Sequence, residues 1–295
     1  MSTSRARYNG PSILRDLDLS DASACYFYMF SGCVNLIDFP ELPATKLSSQ
    51  CYESMFAGCS SLSDTPELLV DDLSDCSFCY SNMFKGCVSL TQAPVLPATK
   101  LSSHCYHGMF ANCTGLVSVS DLPGEILFGS SYQEMFAGCT SLVDAPDILA
   151  TSFNNPTDVY GACQGMFKGC SSLVNPPSDL FPIEAGFGCY YEMFKDCVSL
   201  TSSPVIHLSV SNSDLSLSPC QSMFQGCTSL TSIYVEFPEW FTFTKYNYLY
   251  TQDWVKDVPS SGSFYCPVSL PVKYGKDYIP DGWTVYNLEE VGAGI

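Results

Sequence analysis

One block of residues recurs through this chain at a spacing too regular for an ordinary globule. A Met-Phe pair begins at Met29, Met55, Met83, Met109, Met135, Met166, Met193 and Met223, in steps of 26, 28, 26, 26, 31, 27 and 30 residues. Four residues after each methionine stands a cysteine: Cys33, Cys59, Cys87, Cys113, Cys139, Cys170, Cys197 and Cys227. Three residues further on stands a leucine, from Leu36 to Leu230, in every copy. Periods of roughly 20 to 50 residues mark supersecondary units that stack side by side and share one continuous core.

The block reads as an amphipathic helix. At ~100° per residue, the cysteine four before the methionine, the tyrosine three before, the phenylalanine after and the second cysteine fall within an arc of ~140°. Positions two before and two after the methionine fall opposite and carry residues such as Glu53, Gln133, Lys85 and Lys168. The third residue after each methionine is Gly, Asn or Asp, the types that enter left-handed backbone most easily, so the helix is expected to stop there. A proline eleven residues after the methionine in six copies (Pro40, Pro66, Pro94, Pro146, Pro177, Pro204) limits the following strand to three or four residues. The strand is expected six to ten residues after the methionine. The expectation is an α/β solenoid of the leucine-rich-repeat type: eight repeats, each with one short strand and one short helix, and a C-terminal cap. Residues 1–18 form an N-terminal arm, 19–233 the solenoid and 234–295 an aromatic cap or docking segment.

Hydrophobic residues make up 46% of the chain and charged residues 14%, enough apolar material for such a core. The net charge of −18 argues against nucleic acid and anionic membrane surfaces as partners. No run approaches the roughly 20 apolar residues of a membrane span, and the first residues lack the apolar stretch of an export signal. Seventeen cysteines suggest a disulfide framework, but the count is odd. On a helix, the two cysteines of one block lie about 12 Å apart along the axis, beyond the ~7 Å a disulfide allows. Equivalent cysteines on neighbouring helices are also too far apart. The eight repeat cysteines are therefore expected to be free structural thiols in a chain folding under reducing conditions, with Sγ of the second cysteine donating to a backbone carbonyl of the next turn.

The pattern MFxGCxSLTxxPxLPATxLxxxCYxxMF resembles the BspA-like leucine-rich repeats of bacterial surface proteins, in the Met-Phe variant of gut Bacteroides and their phages. The likeness covers residues 19–233. The segment Trp254 to Val285 also looks like the C-terminal stretch that follows such repeats. The resemblance implies a non-enzymatic binding or structural solenoid. With no export signal in view, the expected setting is a phage virion, the protein being made in the host cytoplasm. The alternative is a bacterial surface or secreted module that recognises host protein or glycan. Partners are expected to be protein, possibly glycan, without membrane insertion.

No catalytic group, metal site or cofactor is expected. His104 and His107 fall on the helix face opposite Cys105 and Cys113. Cys76 and Cys79, at redox spacing, include a core position. Cys163 in GACQG has no histidine placed to serve it. Two surfaces are binding candidates. Asp38, Glu41, Asp64, Glu67, Asp121, Asp144 and Asp147 recur at equivalent positions and form an acidic stripe suited to a basic partner. Trp240, Phe241, Tyr246, Tyr248, Trp254 and Trp283 crowd the tail and are candidate docking aromatics or cap residues.

Overall fold

A computed structural model describes residues 17–154, 160–184, 188–209, 218–242 and 248–288. Among these residues the Met-Phe blocks contain no α-helix, which corrects the expected strand-plus-helix unit. Each block is instead a run of overlapping turns. In the second block, Glu53, Met55, Ala57 and Cys59 each donate N–H to the carbonyl three residues back. The intervening residues Gln50, Tyr52, Ser54, Phe56 and Gly58 point their N–H groups sideways, onto Ser77, Cys79, Ser81, Met83 and Lys85 of the next block at 2.7–3.0 Å. Alternate amides thus close turns and the others build a lateral ladder, so every N–H from Tyr52 to Cys59 is bonded.

This geometry requires a positive φ at every fourth residue. Gln50, Ser54 and Gly58 have φ of 65°, 55° and 75°, and the triplets 24/28/32, 78/82/86, 104/108/112 and 130/134/138 repeat the pattern. The third residue after each methionine is left-handed in all eight blocks, from Gly32 (φ 76°) to Gly226 (φ 78°), with Asn112 and Asp196 at 61° and 62°. A helix would have ended there. Here the left-handed residue is one of a series, sitting third in every second turn as a type II turn demands.

A turn run also permits closer stacking than helices do. Helices pack 8–10 Å apart, whereas the phenylalanine rings of successive blocks lie 5.5–5.7 Å apart and within 8° of parallel, from Phe30 to Phe224. A second column of Tyr26, Tyr52, Tyr80, Tyr106 and Tyr132 runs beside it at 5.5–6.0 Å. Cys163 occupies the next tyrosine slot, since its N–H bonds Cys189 O just as Tyr52 N–H bonds Cys79 O. From the second block to the eighth, the methionine, phenylalanine and following cysteine are at most 1% exposed.

Parallel pairing forms the other side of the stack. Strands β1 (Leu17–Asp18) and β2 (Ala44–Lys46) pair, as do β3 (Ile126–Leu127) and β4 (Ser152–Phe153). A five-stranded sheet runs in chain order through β5 (Asp179–Glu184), β6 (Ser202–Ser209), β7 (Ser232–Val235), β8 (Ser263–Cys266) and β9 (Thr284–Asn287). Between the short sheets the blocks touch by single bridges, including Asp72 with Lys100 and Gln92 with Ser118. Pairing therefore starts nine residues after the methionine, as in Gln92, Ser118 and Ser202, and recurs thirteen to seventeen after it, as in Leu122, Lys100 and Ile126. Proline cannot donate to a ladder, and β6 passes through Pro204 with a shift of register between Ser202 and Val205.

The tail extends the same stack. Cys220, Ser222, Phe224 and Gly226 donate to Tyr250, Gln252, Trp254 and Lys256, so 249–257 is a further turn run, without the Met-Phe motif, and Trp254 takes the methionine slot. Asp253 and Asp257 supply its positive φ values of 53° and 64°.

Helix and turn run differ in the sign of one substitution. Gly165 has φ +58°, and a Cβ there would meet Glu134 Cγ at 3.4 Å, an ordinary contact. In a helix Gly165→Ala would stabilise by about 1 kcal/mol; in the turn run it is expected to destabilise by about 1–2 kcal/mol. Urea unfolding of the two chains measures the sign.

Candidate functional site

Seven of the eight repeat cysteines lie in the core, and Cys33 is exposed at its first block. All except Cys33 are buried, and none of the seventeen thiols is in a disulfide. Starting with Cys59, Sγ of each donates to the phenylalanine carbonyl of the preceding block: Cys59 to Phe30 at 3.1 Å, Cys87 to Phe56 at 3.2 Å and Cys113 to Phe84 at 3.0 Å. Cys139, Cys170, Cys197 and Cys227 continue the series at 3.0–3.2 Å. The same carbonyl already accepts the turn-closing amide, as Phe56 O does from Cys59 N–H. The thiol fills the carbonyl's second lone pair, where a methyl group would leave it empty. Equivalent cysteines of the other set, four before the methionine, come closer than helix spacing would allow: Cys51 Sγ lies 4.0 Å from Cys25 Sγ. That is still about twice a disulfide bond length.

Burial pushes these thiols up: Cys59 to about 11, and Cys113, Cys170 and Cys227 to about 12. Burial moves Cys139 and Cys197 in the same direction, assisted by neighbouring thiols in the column. The thiolate is the nucleophile and metal ligand, so the shift works against both kinds of reactivity. Cys79 Sγ donates to Cys76 O at 2.6 Å. The His104 ring stacks on Phe78 at 4.3 Å. Among the described residues no group of three His, Cys, Asp or Glu side chains is placed to hold a metal ion.

The acidic stripe lies at the surface, partly spent on joining neighbouring blocks. Asp121 Oδ1 accepts the Asp147 N–H at 3.1 Å, and Asp147 Oδ1 accepts from Ser178 N–H and Oγ at 2.8 and 2.9 Å. Asp144 Oδ1 accepts from Asn175 at 2.6 Å, and Asp64 from its neighbour Thr65 N–H at 2.8 Å. Asp38 is half-buried. Glu41 and Glu67 are exposed and line a cleft of about 420 Å³ with Phe39, Leu42, Pro43, Pro66 and Leu69.

The tail aromatics divide. Trp240, Trp254 and Trp283 are 9%, 0% and 2% exposed, so these three rings do not form a docking face. Each indole N–H donates to a tail carbonyl at 2.7 Å: Trp240 to Pro271, Trp254 to Tyr278 and Trp283 to Pro259. Phe241 packs half-buried against Phe237 and Tyr250. Tyr248 is 51% exposed, and Tyr246 lies outside the described residues.

A different aromatic row reaches the surface. Tyr234, Tyr265 and Tyr286 are aligned partners on β7, β8 and β9, with ring centroids 4.6 and 5.3 Å apart and planes within 6° and 21°. Ile233, Val235 and Phe264 alternate with them and are buried, so the tyrosines occupy the solvent face. Ser232, Ser263 and Thr284 form an aligned hydroxyl row two residues earlier. On β6, His207 sits 2.9 Å from Asp179 and 3.1 Å from Glu236. The signal for this face was present in the sequence: SIYV, SFYC and TVYN repeat one hydroxyl–apolar–tyrosine alternation.

No protein-family pattern matches the chain, and no curated protein matches it. Two solved structures resemble it distantly. One is a leucine rich cell surface protein of Faecalibacterium prausnitzii: 15% identity, 72% of this chain and 64% of that one covered, TM-score 0.34. The other is a leucine-rich repeat protein of Bacteroides ovatus: 18% identity, 88% and 80% covered, TM-score 0.29. The chain thus spans just under two thirds of the Faecalibacterium protein. Among the described residues no helix is long and apolar enough to cross a membrane.

The thiol columns make stability depend on alkaline pH. An unfolded thiol titrates near 9.0, whereas folded Cys113 holds its proton to about 12. Below pH 9 both states are protonated and stability is flat. Between the two values the folded state binds more protons, so stability falls as pH rises, by about 1.4 kcal/mol per pH unit for each thiol. The urea midpoint is expected to be level from pH 6 to 8 and to drop steeply above pH 9. Cys113→Ala is expected to cost about 1–2 kcal/mol at pH 7 and to remove about one proton from the alkaline slope.

Proposed function

We propose that this chain is a non-enzymatic interaction module whose stacked core displays a fixed surface to a protein or glycan partner. The observation that carries this is the tyrosine row on the solvent face of the five-stranded sheet. Tyr234, Tyr265 and Tyr286 hold one another by ring stacking, so little side-chain freedom remains to be lost on binding. Tyrosine joins a large apolar face to a polar hydroxyl, a combination suited to interfaces. The parallel serine and threonine row adds donors and acceptors on the same face. Reactive side-chain types are committed elsewhere: the repeat thiols to carbonyls of the core, and three of the stripe's carboxylates to neighbouring blocks.

The setting we take is a bacterial surface or the extracellular medium rather than a phage virion. Fifteen of the seventeen thiols are buried. Most of these are held protonated by burial, so the cysteine count does not confine the folded chain to a reducing compartment.

Purified protein applied to immobilised glycans (a neutral glucan and a sialylated mucin) and to immobilised bacterial and host surface proteins tests the proposal. The triple substitution Tyr234→Ala, Tyr265→Ala, Tyr286→Ala is expected to weaken binding at least ~10-fold, about 1.4 kcal/mol, with circular dichroism unchanged. Binding that survives the substitution would remove the tyrosine face from the mechanism. Turnover of any of these ligands would overturn the non-enzymatic reading.

A further inference from the structure

The lateral ladder has a direction. At every junction between blocks the N–H groups belong to the earlier block and the carbonyls to the later one: five bonds from the first block to the second, and four from the eighth onto 249–257. A stack of this kind ends in two chemically different edges. The last run offers only donors, and the first offers only acceptors.

The middle of the donor edge is covered. Asp253 N–H donates to Asp277 Oδ1 at 2.6 Å and Val255 N–H to Lys276 O at 3.2 Å. Thr251 Oγ1 and the Trp254 indole donate to Asp277 O and Tyr278 O. The acceptor edge is not covered by any described residue. Ser23, Cys25, Phe27, Met29 and Ser31 hold the slots that accept in the second block, and no described backbone N–H reaches their carbonyls. The side chains beside them are open as well. Met29 is 57% exposed and Cys25 and Cys33 are exposed, where the second block's Met55, Cys51 and Cys59 are at most 1% exposed.

We propose that this acceptor edge is a docking surface for another polypeptide that presents a row of backbone N–H groups at the ladder's own spacing, with small apolar side chains facing Cys25, Met29 and Cys33. The hydrogen-bond polarity selects the occupant. A second copy meeting it head to head would set carbonyls against carbonyls. A second copy meeting it head to tail finds the two central amides of its donor edge, Asp253 and Val255, already held by Asp277 and Lys276. A glycan has hydroxyls but no surface to cover the exposed methionine and thiols. An incoming donor run satisfies both the five carbonyls and the apolar side chains, as the first block does for the second; this is edge addition by a turn run in place of a strand. The proposal is independent of the tyrosine face.

The probe is a synthetic peptide spanning residues 47–72, whose own amides at Gln50, Tyr52, Ser54, Phe56 and Gly58 form such a row in the protein. The readout is site-resolved alkylation of the full chain, followed by mass spectrometry. In the chain alone, Cys25 and Cys33 are expected to react at least ~10-fold faster than Cys113. Saturating peptide is expected to slow both at least ~10-fold, and the same peptide N-methylated at residues 52, 54 and 56 to leave them within ~2-fold. The proposal is overturned if Cys25 and Cys33 are already as slow as Cys113 in the chain alone. Deleting residues 1–16 and measuring mass by light scattering then assign the cover to that segment or to a second copy. It is equally overturned if neither peptide protects, or if both protect alike, because apolar contact alone would then account for the effect.

Discussion

Everything else in this protein follows from backbone amides that alternate between closing a turn and reaching sideways to the next block. That alternation fixes the distance between blocks at the reach of a hydrogen bond, so side chains at equivalent positions must stack directly on their own kind. The phenylalanine column at 5.5–5.7 Å is the consequence, and parallel rings at that separation tolerate little variation in size or tilt. It also forces a left-handed residue every fourth position. Glycine fills some of these sites, but Ser54, Glu134 and Glu192 hold φ of 53–55° without that freedom. An L-residue there costs on the order of 1 kcal/mol, offset by the lateral bond and the buried pair that follows.

Sulfur solves a packing problem in this arrangement. The cysteine after each left-handed residue must be small, because the next block is close. It must also satisfy a carbonyl that the turn has only half used. A thiol does both, and its large soft atom packs against methionine and phenylalanine in the same layer. Seven equivalent bonds from Cys59 to Cys227 show the same solution at every junction. Burial holds most of these groups protonated, and the chemistry that makes a cysteine-rich sequence look reactive is thereby suppressed.

The ends and faces of the stack are where it differs from its own interior. Three tryptophans close one end by donating indole N–H groups to tail carbonyls, so aromatic residues that look like anchors in the sequence are structural in the fold. The tyrosine row lies on the strand side, on rungs that belong partly to the tail. The tail therefore both continues the sheet and supplies most of its aromatic face. The acidic positions expected to serve a basic partner are in part bridges between blocks. Asp121 and Asp147 replace missing strand hydrogen bonds where the sheet thins to single contacts.

The sequence by itself determined the period, the inward set and the left-handed residue after each Met-Phe pair. These depend on which side chains recur, and the recurrence is written in the residues themselves. It did not distinguish a helix from a turn run. Over the eight steps from Cys51 to Cys59, a helix at ~100° per residue and a four-residue repeat at ~90° diverge by only ~80°, less than the ~140° apolar arc, so both bury the same five residues. The difference lies in where alternate N–H groups go, and their acceptors are 25 to 30 residues away on another block. Only tertiary structure supplies that partner. For the same reason it alone decided that the tail tryptophans turn inward, that three tyrosines from separate strands share one face, and that the two ends of the ladder carry opposite hydrogen-bonding character.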